Sequence, residues 1–306
     1  MLSVVIPVFN EEKNIDFVLS EILEYIDKQE TYEIIFVDDH SNDNTYLHIR
    51  DLNFSNKNIK VIRLSRRSGS HIATKAGIDS SKGDKVLVIS GDGQEDPSLI
   101  ANMASKIEEG VDIVWGVREA RSEPLISRFI TNIFYKGLKR FTKKTISYSV
   151  DISNADFYMI NSRVIKVIKE TSLLNTSLFG LLAWIGFKQE SIKYKRRERA
   201  NGITKWGVKS KISLALDWYI GFSPSPLRFV MISGLLITIL AIGYTVAIFI
   251  FYMNGTEVQG WSSIVVLILF FNSFIILVLG LFGEYLWRTF NNTSDRPNYA
   301  IEDQVT

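Results

Sequence analysis

The sequence predicts an α/β fold, a mostly parallel sheet with flanking helices, followed by two transmembrane helices. Three observations predict it. Short β-branched runs alternate with helical patterns over the first two-thirds of the chain, as in strand–helix–strand units. Acids, amides and arginines collect just after the predicted strands. Two uncharged stretches then follow, Phe229–Met253 and Trp261–Gly283; each exceeds the roughly 20 residues a helix needs to cross a bilayer.

Taken in order, strands are expected at Ser3–Val8, Glu33–Asp38, Ile59–Leu64, Lys85–Ser90 and Asp112–Val117. Helical patterns lie between them, at Glu12–Lys28, Asn44–Leu52, His71–Ser81 and Pro97–Glu109. Ligands of open parallel sheets collect beyond the carboxyl ends of the strands. Those ends carry Phe9, Asn10 and Glu11, then Asp38 and Asp39, then Ser65, Arg66 and Arg67, and finally Arg118 after the fifth strand. Asp38 or Asp39 suits a ribose or base edge; the competing reading is that one of them caps the next helix.

The fourth strand leads into Ser90-Gly91-Asp92-Gly93-Gln94-Glu95-Asp96. Gly91 and Gly93 free the backbone to turn tightly, so that Asp92 and Gln94 can point the same way. A carboxylate and an amide carbonyl close together suit a hard divalent cation that also holds phosphate oxygens. The bland alternative is a turn that only ends a strand.

Composition narrows the classes. The net charge of +2 is too small to imply nucleic acid, and the absence of cysteine excludes disulfides and thiolate metal sites. Three scattered histidines argue against zinc. Leu2–Val8 lacks a basic flank and does not read as a signal peptide.

From Pro124 to Lys144 the pattern is an amphipathic basic helix. Leu125, Ile126, Phe129, Ile130 and Ile133 form an apolar stripe, and Arg128, Lys136, Lys139 and Arg140 supply charge elsewhere. Such a helix suits the headgroup layer of an anionic leaflet. Asp151–Ile160 reads as a loop leading into a strand, with Asp156 at its start. A helix at Asn161–Lys169, an apolar helix at Ser177–Phe187 and a short strand at Ser191–Tyr194 follow. Arg196, Arg197, Arg199, Thr204 and Lys205 then make an anion clamp. The same charges also read as a stop before the membrane. Lys and Arg flank the uncharged stretches on their outer sides and are missing from Asn254–Gly260. Both termini are therefore expected in the cytoplasm, with that connector outside.

The motifs Val5-Ile-Pro7-Val-Phe-Asn-Glu11, Ile35-Phe-Val-Asp-Asp-His-Ser41, Asp92-Gly-Gln94 with Asp96-Pro97, Asn154-Ala-Asp-Phe157 and Arg199-Ala-Asn-Gly-Ile-Thr-Lys205 occur in this order. Phe222-Ser-Pro-Ser-Pro-Leu-Arg228 and Arg296-Pro-Asn-Tyr299 follow. The set resembles the polyprenyl-phosphate glycosyltransferases of glycosyltransferase family 2, of the dolichyl-phosphate mannose synthase and undecaprenyl-phosphate glucosyltransferase type. The resemblance covers essentially the whole chain. It implies a GT-A fold, a nucleotide-sugar donor, a polyprenyl-phosphate acceptor, and transfer on the cytoplasmic face of the inner membrane for cell-envelope glycosylation. It implies Mg²⁺ or Mn²⁺ on Asp92 and Gln94, and donor binding by Pro7, Phe9, Asn10, Glu11, Asp38, Asp39, Arg66 and Asp92. Catalytic roles fall to Asp92, Asp156 and Arg118, and the acceptor or leaving phosphates to the Arg196–Lys205 clamp. Self-association is left open.

The expected division is residues 1–204 as catalytic domain, 205–226 as juxtamembrane helix, 227–253 and 261–287 as spans joined by 254–260, and 288–306 as cytosolic tail. The chain departs from the family at Ser90, where the usual motif has a first aspartate. UDP-glucose is the favoured donor. The rivals are a GDP-mannose-using synthase, a non-catalytic nucleotide-sugar-binding scaffold and a processive polysaccharide synthase. The last normally has more spans and a Gln-x-x-Arg-Trp motif, which is missing here.

Overall fold

The computed structural model describes residues 1–26, 31–119, 155–171, 178–195, 197, 225–254, 260–294 and 296–305. The chain divides into two units, Met1–Ala215 with Pro297–Thr306, and Leu216–Arg296.

The first unit is built on an eight-stranded sheet. Its strands are β1 (Leu2–Val8), β2 (Tyr32–Asp38), β3 (Ile59–Leu64), β4 (Lys85–Val88), β5 (Ile113–Arg118), β6 (Ala155–Asn161), β7 (Gln189–Tyr194) and β8 (Ile301–Val305). Their order is β7-β5-β6-β4-β1-β2-β3-β8. The pairs β1–β2, β1–β4, β2–β3 and β5–β7 are parallel, whereas β6 and β8 run antiparallel to their neighbours. Because β6 runs backwards, its first residues lie at the edge where β4 and β5 end. Asp156 reaches the carboxyl edge by that route.

Buried strands flanked by helices on both faces read as continuous apolar runs, and β1, β2 and β4 do. Leu2, Val4, Ile6 and Val8 face a core shared with α1 (Ile15–Tyr25) and α4 (Ile100–Glu108). In α1 the buried residues Ile15, Val18, Leu19 and Ile22 recur at helical spacing. The opposite face carries α3 (Ser70–Ser80) and α5 (Ser162–Glu170). Trp115, Tyr158 and Phe157 are fully buried, and a Phe side chain contributes about 1.5–3 kcal/mol by leaving water. Two further helices, α2 (Thr45–Ser55) and α6 (Leu178–Trp184), complete the unit.

Pro7 sits inside a central strand, where proline normally removes a ladder bond. Ile89 N donates to Val5 O, so odd residues of β1 face β4. β4 ends at Val88, opposite Val5, and Pro7 faces the side where the ladder has already stopped.

Within the expected tail 288–306, residues 301–305 form β8 on the outer edge of β3. Its pattern, Ile-Glu-Asp-Gln-Val, is mostly polar and exposed, so no apolar alternation announced it. Pro97–Leu99 forms a short 3₁₀ turn ahead of α4, where a single helix was expected.

The second unit contains α7 (Ser225–Met253) and α8 (Trp261–Thr293). Pro226 stands in the first turn of α7, where its missing N–H costs nothing. Among the described residues one stretch, Phe270–Asn291, is long and apolar enough to cross a membrane, with mean hydropathy 1.6; the apolar run Ile232–Tyr244 in α7 is shorter. The expected basic helix at 124–144, most of the juxtamembrane helix 205–226 and the residues Arg196, Arg199, Thr204 and Lys205 lie outside the described residues.

Candidate active site

The site is assembled at the carboxyl edge of the parallel strands. Phe9, Asn10 and Glu11 leave β1. Asn10 has φ 53°, a left-handed conformation that Asn tolerates better than most residues. Its backbone N–H donates to Ser41 Oγ at 2.9 Å and its Oδ1 accepts from Asn42 N at 2.8 Å. The end of β1 is thereby stitched to the end of β2. Glu11 N donates to Thr45 Oγ1 at 2.9 Å, and Glu11 Oε2 accepts from Asn14 Nδ2 at 2.6 Å.

Asp38 is fully buried, and both its oxygens accept from Ser41 N at 3.2 Å. Burial pushes its carboxyl above the usual range, against the Ser41 hydrogen bonds and the Arg63 guanidinium. Asp39 is also buried and raised by burial; it accepts from Ser68 N at 2.6 Å and Gly69 N at 2.9 Å. Neither acid caps α2. The N-cap position is Asn44, and the first helical N–H, that of Thr45, donates to Asp43 Oδ1 at 3.1 Å. Asp39 instead organises the loop after β3. In that loop Arg67, rather than Arg66, lies over the Phe9 ring at 4.0 Å; Arg66 is exposed.

After β4 the chain turns at Gly93, with φ 71° and the Phe17 ring 2.9 Å from where a Cβ would stand. Gly91 serves differently from expectation. Its φ is ordinary, and its need is space: a Cβ there would lie 2.6 Å from Val8 Cγ1. The turn presents Asp92, which accepts from Ser90 Oγ at 2.6 Å and from Gln94 N at 3.2 Å. Asp96 caps the 3₁₀ turn by accepting from Ser98 N at 3.1 Å.

Glu95 is the acid the sequence reading passed over. It is buried, and its Oε2 lies 2.5 Å from Ser90 Oγ. Ser90 has one proton to share between Asp92 and Glu95, so the short contact on the other side needs a proton from a carboxyl. Burial first, then the Asp92 charge, pushes Glu95 up to about 7, and Asp156 adds to the shift. The position that lacks the family's first acid therefore holds a hydroxyl bridging two carboxyl groups. Glu95 follows Gln94 directly in the acidic run, and only its burial separates it from a solvated charge.

Asp156 accepts from Tyr194 Oη at 2.7 Å. Strand register sets Arg118 opposite Tyr194, which brings Arg118 to the same end of the sheet. Arg197 N donates to Gln94 O at 3.0 Å, and Gln94 Nε2 donates to Arg197 O at 3.4 Å. The Arg197 guanidinium pairs with Glu21, and with Asp96 at 3.2 Å. Its charge is engaged by those acids. The structure thus brings Asp92, Gln94, Asp156, Arg118 and Arg197 to one edge, with Pro7, Phe9, Asn10, Glu11, Asp38 and Asp39 along its other half. Among the described residues no group of three or more His, Cys, Asp or Glu side chains is arranged as a metal cluster.

The sequence pattern of glycosyl transferase family 2 matches residues 3–167. The chain belongs to glycosyltransferase family 2. This family-2 glycosyltransferase is 35% identical over 305 residues to an uncharacterized glycosyltransferase of Synechocystis sp., covering 99% of this chain and 95% of that one. It is 31% identical over 306 residues to the bactoprenol glucosyl transferase of Shigella phage SfX, covering 99% of each. It is 31% identical over 304 residues to the prophage bactoprenol glucosyl transferase homolog of Escherichia coli K12, covering 98% of each. Among solved structures, glucosyl-3-phosphoglycerate synthase from Mycobacterium tuberculosis superposes with TM-score 0.50 at 17% identity, covering 71% of this chain and 79% of that one. That likeness concerns the fold, a GT-A-like α/β sheet with flanking helices.

Proposed function

We propose that this glycosyltransferase moves glucose from UDP-glucose to a polyprenyl phosphate at the cytoplasmic face of a membrane. The observation that carries the reading is full-length likeness to proteins named bactoprenol glucosyl transferases, joined to a carboxyl-edge site of acids, amides and arginines. Both halves matter, because fold alone does not specify a substrate.

The nucleoside half of the donor sits along Pro7, Phe9, Asn10, Glu11, Asp38 and Asp39, where buried acids are already held by backbone N–H groups. Asp92 and Gln94 offer oxygen donors, one charged and one neutral, a set that fits Mg²⁺ or Mn²⁺ held mainly by phosphate oxygens and water. When bound, that cation supplies Lewis-acid stabilisation of the departing diphosphate. Arg118 faces the phosphates, and Arg199, Thr204 and Lys205 take the acceptor phosphate.

The acceptor is a phosphate monoester with a second pKa of about 6, so it arrives mostly dianionic and needs no strong base. One of its oxygens attacks the anomeric carbon as the bond to the diphosphate breaks on the opposite side, which inverts the configuration. Asp156, held by Tyr194, orients the acceptor or sugar. The rate comes chiefly from positioning and charge neutralisation.

Two spans fit this reading. β8 follows α8 in the chain yet belongs to the sheet that begins at Leu2. A chain that leaves a compartment and returns to it crosses the membrane an even number of times. If Phe270–Asn291 crosses, α7 is the partner span, and 254–260 lies outside.

The test is purified full-length protein with undecaprenyl phosphate and labelled UDP-glucose, with and without EDTA. The expected result is a chloroform-soluble glucolipid that EDTA suppresses. Transfer from GDP-mannose alone would replace the donor assignment, and no lipid product from any UDP- or GDP-sugar would overturn the reading.

A further inference from the structure

Ser90 Oγ stands between two acids of one turn. It donates to Asp92 Oδ1 at 2.6 Å and lies 2.5 Å from Glu95 Oε2. Asp92 Oδ1 also accepts from Gln94 N at 3.2 Å, so that oxygen is held from two sides. The backbone beneath is pinned as well. Gly91 packs against Val8, Gly93 packs against the Phe17 ring, and Gln94 is hydrogen-bonded to Arg197. Glu95 is 4% exposed and Asp92 8%. The hollow that Glu95 shares with Ser90 is lined by Phe17, Val18, Glu21, Ile89 and Pro97. A long acid in an exposed turn would extend into water; this one is turned inward onto a hydroxyl.

A hydroxyl donates once and accepts twice, so Ser90 can serve both neighbours at the same time. A carboxylate in its place would be an acceptor facing two acceptors. Held by Glu95 on one flank, the Ser90 hydroxyl is not free to rotate away from Asp92 on the other. We propose that Glu95 is a positioning residue of the cation site: it anchors the Ser90 hydroxyl, which in turn fixes the Asp92 carboxylate in the orientation that receives the cation. The proposal rests on the reading of Asp92 as the acid that holds Mg²⁺ or Mn²⁺. Glu95 acts on the cation only through Ser90, and it acts through a hydrogen bond rather than through charge. Groups that hydrogen-bond a ligating carboxylate typically govern about 10–100-fold in metal affinity.

The test uses the full chain in detergent with saturating UDP, and Mn²⁺ titrated calorimetrically. Ser90→Ala is expected to raise the Mn²⁺ Kd about tenfold. The deciding pair is Glu95→Gln and Glu95→Met. Both remove the charge and keep most of the volume, but only glutamine can still hold the hydroxyl. Glu95→Gln is expected to stay within about threefold of the parent, and Glu95→Met to weaken binding as Ser90→Ala does. Ser90→Ala joined to Glu95→Met is expected to bind Mn²⁺ no more weakly than Ser90→Ala alone, because one residue acts through the other. Equal weakening by Gln and Met would make Glu95 a source of charge only and overturn the inference. A double variant weaker than Ser90→Ala by about tenfold more would overturn it too, since the two effects would then be independent. An unchanged Kd in Ser90→Ala, with Mn²⁺ binding lost in Asp92→Asn, overturns the inference and leaves Asp92 as the cation's acid. An unchanged Kd in Asp92→Asn removes the cation reading and the inference together. Thermal melts verify that each variant folds; if Glu95→Met does not, Glu95→Ala takes its place with the same expected and overturning results.

Discussion

Arg197 and Gln94 are joined backbone to backbone, Arg197 N to Gln94 O at 3.0 Å, across 103 positions of sequence. The contact ties Arg197, the one described residue of the expected Arg196–Lys205 clamp, to the turn that carries Asp92. Arg197→Met keeps that backbone contact but removes the guanidinium that braces it against Glu21 and Asp96, and it is expected to lower lipid transfer about tenfold, since small misplacements of reacting groups are costly. Its guanidinium is 37% exposed, and pairs of that kind are worth about 1 kcal/mol or less. The melting temperature should therefore barely move. A large loss of stability with unchanged turnover per folded molecule would assign Arg197 to the fold alone.

Asp92 is the acid proposed to hold the cation. Asp92→Asn is expected to cut transfer by about 10²–10³-fold, the scale of losing one preorganised electrostatic contact, and to leave a residual activity insensitive to EDTA. Stability should hold or rise, because the Asp92 charge raises Glu95 and its removal relieves that repulsion. Wild-type turnover by Asp92→Asn would remove the residue from the mechanism.

Glu95 gives a pH dependence with a definite sign. Its carboxyl rises from an ordinary 4.5 to about 7, through burial and then the charge of Asp92. The folded chain thus keeps a proton that the unfolded chain releases. Its contribution to stability is fully present below about pH 4.5 and is lost as pH rises through about 7. Glu95→Gln mimics the protonated form. In EDTA it is expected to melt close to the parent at pH 4.5 and above it at pH 8, by about 3 kcal/mol on the linkage scale. A gap that stays constant between those pH values would contradict the assignment.

The chain contains no cysteine, so single cysteines report topology without background. In intact cells Thr256→Cys is expected to react with a membrane-impermeant maleimide. Thr306→Cys should react only after permeabilisation. Labelling of Thr306→Cys from outside would contradict two crossings with a cytoplasmic tail.

Much of this protein was legible in its residues because the relevant physics is local. β-branched runs alternating with amphipathic helices announce buried parallel strands, and the structure places β1 to β5 within one to two residues of their expected ends. Polar residues at strand ends singled out Asp38, Asp39 and Asp92 as candidates, and the structure places them along one sheet edge. What stayed hidden depends on partners far apart in the chain. Glu95 looks like a solvated acid until the fold buries it beside Ser90 and Asp92. Arg197 reads as a free cation until Glu21 and Asp96 engage it. β8 carries no apolar alternation, since only the exposed edge of β3 gives it a ladder to join. Sequence determined the layers and the chemical inventory of the site, because propensity and periodicity act within a few residues. Tertiary structure alone decided which charges neutralise one another, because Coulomb and desolvation energies depend on distances that only folding sets.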